Sequence, residues 1–155
     1  MRICIFTASC SGKSTFCKKY NNNYKGLFLL DCDDLKMDEK ENDIQDETIQ
    51  DYLYQFDDAC LLTNKIKQRE DVLYSCVDVG MASILLHIFK RILLYRKLKY
   101  IRNVFLKVPL YLIFKIRMYE ENIPIFKTFE QAIDYHMRSE QVILMKEEKQ
   151  CGRSL

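Results

Sequence analysis

The segment that most limits the folds open to this chain is Ser11-Gly12-Lys13-Ser14-Thr15, which directly follows the apolar run RICIFT. That run is β-branched and aromatic and reads as a buried strand. Residues 8–12 are small and read as a loop, and residues 13–20 as a helix. A loop that turns into a helix points several backbone N–H groups at one place, and the helix dipole adds partial positive charge there. Gly12 leaves the backbone open to an anion. Lys13 adds a full charge, and the Ser14 hydroxyl is a hard oxygen of the kind magnesium takes.

Thr7 to Ser14 match the end of the pattern G-x-x-x-x-G-K-[ST], the phosphate-binding P-loop or Walker A motif, with Thr7 at the first Gly. The expected nucleotide-binding set is Ser9, Cys10, Ser11, Gly12, Lys13, Ser14 and Thr15, holding the phosphates of ATP with Mg2+. A β-branched Thr7 is expected to stiffen or shift the loop.

Down the chain, three Asn at 21–23 stop the first helix. Gly26 leads into a second strand over 27–30, with Asp31-Cys32-Asp33-Asp34 at its carboxyl end. Residues 36–46 are charged and aperiodic and read as an exposed loop. Ile49, Leu53, Phe56 and Cys60 repeat at spacings of three and four and predict a helix over 47–68. Residues 72–79 predict a third strand, closed by Gly80, and 81–98 a helix with Ile84, Leu85, Ile88 and Ile92 inward. Residues 100–108 predict a fourth strand, and Pro109 suits the start of a helix over 109–119. Thr128 is the expected N-cap of a last helix. Residues 142–145 fit either a fifth strand or more of that helix. Alternating strands and helices, with continuous apolar strands, argue an α/β fold. The expectation is a three-layer P-loop NTPase fold in one domain, 1–155. Its mostly parallel sheet of four or five strands would be covered by helices on both faces.

In open parallel sheets, ligands bind beyond the carboxyl ends of the strands. Asp31, Asp33 and Asp34 fall there, beside the loop. Strand alternation would put Asp31 and Asp33 on one side. A carboxylate so placed can take the proton of a hydroxyl that attacks a γ-phosphate. Asp78 ends the third strand, as an acid that helps Ser14 hold magnesium would.

Net charge is +2, so bulk charge selects no partner, but the charge is polarised. Residues 33–58 are crowded with acids, whereas 88–118 hold nine Lys or Arg and no acid. Seven Cys form no C-x-x-C pair, and His87 and His136 complete no zinc site, so both His read as structural. Met1-Arg2 lead straight into the first strand without a signal peptide, and no apolar run approaches the ~18 residues of a membrane span. The expectation is a cytoplasmic, reducing setting with free thiols and no membrane partner. Asn64-Lys65-Ile66-Lys67 lacks the Asp of an N-K-x-D guanine motif, which argues against a GTPase.

With SGKST at 11–15 and DCDDLK at 31–36, the chain resembles the P-loop kinases, most of all the kinase domain of bacteriophage-type polynucleotide kinases. VFLKVPLYLIFKIR at 104–117 is a weaker match, to a strand ending in Val-Pro and a helix carrying a basic residue towards the lid. The resemblance implies that Asp33 is the base that activates a 5′-hydroxyl, with Asp34 behind it. It also implies that Arg117 neutralises the transferring phosphoryl group, with Lys115 the second choice. It therefore implies an ATP- and magnesium-dependent kinase acting on a polynucleotide 5′-hydroxyl, with the basic stretch 90–117 meeting DNA or RNA. Thr7 and Cys10 stand where that family carries Gly, and the segment at the lid, residues 118–122, is acidic. Two alternatives stay open: a kinase for a nucleoside, nucleotide or metabolite, and a nucleotide-binding module with reduced catalysis.

Overall fold

The computed structural model describes residues 1–38, 49–65, 67–95 and 99–151. The fold is α/β, built on a six-stranded sheet in the order β2-β3-β4-β1-β5-β6. The strands are β1 (Arg2–Thr7), β2 (Asn23–Tyr24), β3 (Leu27–Asp31), β4 (Ala59–Thr63), β5 (Leu73–Val77) and β6 (Ile125–Phe126). The helices are α1 (Lys13–Lys19), α2 (Cys32–Asp38), α3 (Met81–Tyr95), α4 (Lys99–Glu120) and α5 (Phe129–Cys151), with a 3-10 helix at Gln50–Gln55.

β1 lies at the centre, parallel to β4 and to β5, with Ile3 opposite Cys60 on one side and Leu73 on the other. β3 pairs parallel with β4, and β6 with β5. Among the described residues, only the two-residue β2 runs antiparallel, through the turn to β3. Every residue of β1 after Arg2 is buried, as a strand covered on both faces requires. Ile3 and Ile5 pack with Phe16 and Cys17 of α1 and with Phe129, Ala132 and Ile133 of α5. The alternate residue Phe6 packs with Ile84 and Ile88 of α3 and with Phe114 and Met118 of α4. Cys4 packs with Leu53 of the 3-10 helix and with Leu61 and Tyr74. Period-two alternation in β1 thus assigns its side chains to the two helical layers.

The third predicted strand, the helix at 81–95 and the Thr128 cap are present; the Gln131 N–H donates to Thr128 Oγ1 at 3.2 Å. Residues 142–145 belong to α5. The sheet has six strands rather than the four or five expected, because the two-residue β2 and β6 are too short to show a pattern in the sequence. Two predicted elements are reassigned. The helix predicted over 47–68 is a short 3-10 helix followed by β4, an interior strand. Ala59 to Thr63 are buried on both faces, and a five-residue apolar run fits strand and helix alike until its neighbours are known. The strand predicted over 100–108 is the first half of α4, which runs through Pro109. Pro in a helix interior costs about 3 kcal/mol. The burial of Tyr111, Phe114 and Met118 against the sheet opposes that cost. Of the loop expected at 36–46, residues 36–38 are helical and the rest lie outside the described residues. Residues 96–98 of the helix expected at 81–98 also lie outside them.

Among the described residues, no helix is long and apolar enough to cross a membrane. Six described cysteines are free thiols. Burial pushes the Cys17 and Cys76 thiols up to about 12 and Cys32 to about 11, so these sit in the core as neutral SH groups.

Candidate functional site

β1 delivers the loop. Thr7 is its last residue, fully buried, and its hydroxyl donates to the Val77 carbonyl at 2.9 Å. The position where the motif carries Gly is therefore a regular strand position here, paired with Val77 in the β1–β5 ladder. The backbone turns two residues after Ala8. Cys10 has φ of +64° and Gly12 of +91°. Cys10 holds a left-handed conformation that favours Gly, while a Cβ at Gly12 would meet nothing within 4 Å. Gly12 is thus required for its dihedral angle alone.

α1 begins with the bond from Phe16 N–H to the Gly12 carbonyl, at 2.9 Å. Lys13 is only 4% exposed, and its ammonium lies 3.3 Å from Asp33 Oδ2. The Ser14 hydroxyl donates to Asp31 Oδ2 at 2.6 Å. Asp31 ends β3, and its other oxygen accepts the Asp33 N–H at 3.0 Å. The chain bends into α2 at Cys32, so strand alternation does not set the relation between Asp31 and Asp33. The bend itself directs Asp33 at Lys13. Asp31, Cys32 and Asp33 bring their ligand atoms within 4.8 Å of one another. Among the described residues, the buried Ser11 hydroxyl has no partner.

Ser9 to Thr15 and Asp33 line a cleft of about 380 Å³. The rest of its lining is basic and comes from the distant helices: His87 and Arg91 of α3 and Lys107 of α4. Lys107 donates to Ser9 Oγ at 2.6 Å. Burial, and then the charges of Arg91 and Lys90, hold the His87 imidazolium below its ordinary value. No family model matches this chain, and no curated protein or solved structure does. The site is read from its own chemistry: Lys13, His87, Arg91 and Lys107 gather with the Asp33 carboxylate around a loop of small residues.

The structure thus brings Ser9, Cys10, Ser11, Gly12, Lys13, Ser14, Thr15 and Asp33 to one cleft. Arg117 and Asp78 do not line it. Arg117 borders a neighbouring cavity of about 300 Å³, with Thr7, Ala8, Ser9, Asn64 and Phe114. Asp78 is turned to α4: its carboxylate accepts from the Tyr111 hydroxyl at 2.8 Å and the Lys115 ammonium at 2.5 Å, and from the Gly80 N–H at 3.0 Å. Burial pushes the Asp78 carboxyl up, but the bonds from Lys115, Tyr111 and Gly80 outweigh it and leave the group below its ordinary value. The acid in contact with Ser14 is Asp31. Of the acidic residues at 118–122, Glu121 is bonded to Gln68 rather than facing the cleft. His136 is buried on α5, as a structural His would be.

His87, Arg91 and Lys107 were not singled out as site residues in the sequence. Lys107 fell in a segment read as strand. Arg91 belongs to a charge run with no sign of which cation turns inward, and a lone His on the apolar side of a helix reads as structural.

Proposed function

We propose that this chain is a phosphotransferase that moves the γ-phosphate of ATP to a hydroxyl acceptor. The observation that carries this reading is one cleft, in which a buried lysine, a carboxylate at 3.3 Å and three more basic side chains meet around a small-residue loop. The strand order and the loop after β1 also support a three-layer P-loop NTPase fold and a P-loop kinase relationship. In phosphoryl transfer the protein mainly positions the groups and stabilises charge spread over the phosphoryl oxygens.

On this reading, N–H groups of residues 9–14 and the Ser11 hydroxyl bind the phosphates. Lys13 exchanges its contact with Asp33 for the β- and γ-phosphates. Asp33, released and 55% exposed at its side chain, accepts the acceptor hydroxyl's proton as oxygen attacks phosphorus and ADP leaves. Lys107 and Arg91 supply the positive charge that the resemblance assigned to Arg117. The Ser14 hydroxyl and Asp31 carboxylate are a hard-oxygen donor set that suits Mg2+, whereas the Asp78 carboxylate is engaged by α4. Bound there, the ion would offset phosphate charge.

The Arg117 cavity adjoins the loop at Ser9 and has room for the end of an acceptor, with Phe6 and Phe114 as apolar walls. A polynucleotide 5′-hydroxyl is the first acceptor to test, and a nucleoside, nucleotide or metabolite the second. The basic wall supports catalysis over a binding-only module, since no acid of residues 118–122 lines the cleft.

The test is transfer of label from γ-labelled ATP with magnesium to a 5′-hydroxyl oligonucleotide, a nucleoside mixture and a nucleoside-monophosphate mixture. Lys13→Ala is expected to abolish transfer. Asp33→Asn is expected to block it and spare ATP binding, and Lys107→Ala to slow it about a hundredfold. Full activity in Lys13→Ala overturns the reading, and ATP binding without label on any acceptor favours the binding module.

A further inference from the structure

α3 and α4 pack against each other, and each carries more apolar surface than the core uses. On α3, Ile84 and Ile88 are buried, while Leu86, Phe89 and Leu93 repeat outside at spacings of three and four. Leu93 and the adjacent Leu94 are 77% and 76% exposed. On α4, Tyr111, Phe114 and Met118 are buried, while Phe105 is 76% exposed and Leu112 and Ile116 also face solvent. A surface helix normally buries one stripe and wets a polar one. Exposed apolar groups clustered in this way mark an interaction surface.

The charge around them selects the occupant. Residues 88–118 hold no Asp or Glu, and of their basic residues Arg91 and Lys107 turn to the cleft, Lys115 to Asp78 and Arg117 to the neighbouring cavity. Lys90 stands exposed on α3 beside Leu93 and Leu94, and Arg102 exposed on α4, one turn before Phe105. A nucleic acid would meet the cations and leave the leucines in water. A neutral apolar groove would cover the leucines and leave the cations without counter-charge. A surface of acidic headgroups over acyl chains satisfies both.

We propose that the outer face of the α3–α4 pair docks in the plane of an anionic lipid bilayer, with Leu93, Leu94 and Phe105 entering the acyl boundary and Lys90 and Arg102 meeting lipid phosphates. This departs from the expectation of no membrane partner. It needs no spanning helix, and it stands whether or not the cleft transfers phosphate.

The experiment is co-sedimentation of the full chain with vesicles of phosphatidylcholine alone or with about one-third phosphatidylserine. Binding is expected to the mixed vesicles only. Leu93→Glu with Leu94→Glu is expected to weaken it about tenfold or more, and Lys90→Gln with Arg102→Gln about fivefold per charge. All four side chains are exposed, and unchanged far-UV circular dichroism would verify that the variants fold. Equal sedimentation with both vesicle types, or none with either, overturns the proposal. So does binding that the two glutamates leave untouched; oligonucleotide binding retained in that variant would then assign the cations to nucleic acid.

Discussion

Restoring the motif's first glycine is expected to harm this protein. In Thr7→Gly the buried hydroxyl that donates to the Val77 carbonyl is lost, a net contribution of about 1 kcal/mol for such a bond. The methyl group, in a residue with no exposed surface, contributes about another 0.8 kcal/mol by burial. Glycine in a strand interior costs roughly 0.5–1 kcal/mol in backbone entropy. The sum is about 2.3–2.8 kcal/mol. A 155-residue chain loses about 2–4 °C of Tm per kcal/mol, so the midpoint should fall by roughly 5–11 °C. Thr7→Val removes the hydroxyl and keeps the volume, and should account for about 1 kcal/mol of the loss. Urea unfolding followed by circular dichroism measures both, with an unchanged m-value as the sign that only stability moved. A Thr7→Gly protein as stable as the parent, or more so, would refute the strand pairing of Thr7 and the reasoning built on it.

Cys10→Gly should act in the opposite direction. Relief of a left-handed φ, about 1–2 kcal/mol, exceeds the entropy cost of glycine and should raise Tm by a few degrees. Asp78→Asn should destabilise by about 2 kcal/mol at neutral pH, read as a lower urea midpoint, by removing the charged acceptor of Lys115. Because the folded Asp78 carboxyl lies below its ordinary value, its stabilisation is present above the unfolded pKa and is lost as pH falls through the folded one. The variant's acid-unfolding profile should lack that component. His87, lowered by burial and by Arg91 and Lys90, should be neutral at pH 7, and pyrophosphate in the cleft should raise its pKa. An NMR titration of the imidazole with and without pyrophosphate reads that shift, and an unmoved His87 argues against anion binding beside it.

The parts of this fold legible in the sequence are those set by near neighbours. β1, the loop and α1 follow one another within 19 residues, and strand burial with a Gly-Lys-Ser turn specifies each locally. Asp31 and Asp33 were placed by the rule that strands deliver residues at their carboxyl ends, though a bend rather than strand alternation aims Asp33. β4 was hidden because Leu53, Phe56 and Cys60 mimic helical spacing. It becomes a strand only when β1 and β3 supply its partners. Pro109 looked like a boundary because the local preference is strong, and the packing of Tyr111 and Phe114 overrides it. The basic wall was unreadable for a similar reason. Residues 87, 91 and 107 join the cleft only after two helices dock on the sheet.

That docking ties two surfaces together. Arg91 and Lys107 face the cleft from the same helices that carry Leu93 and Phe105 outward. If occupancy of the outer surface moves those cations, it changes the affinity of the cleft by some factor. Linkage then requires a ligand in the cleft to change affinity for the outer surface by the same factor. On the two proposals together, phosphate in the cleft and lipid on the outer face would each strengthen or weaken the other's hold by that one factor.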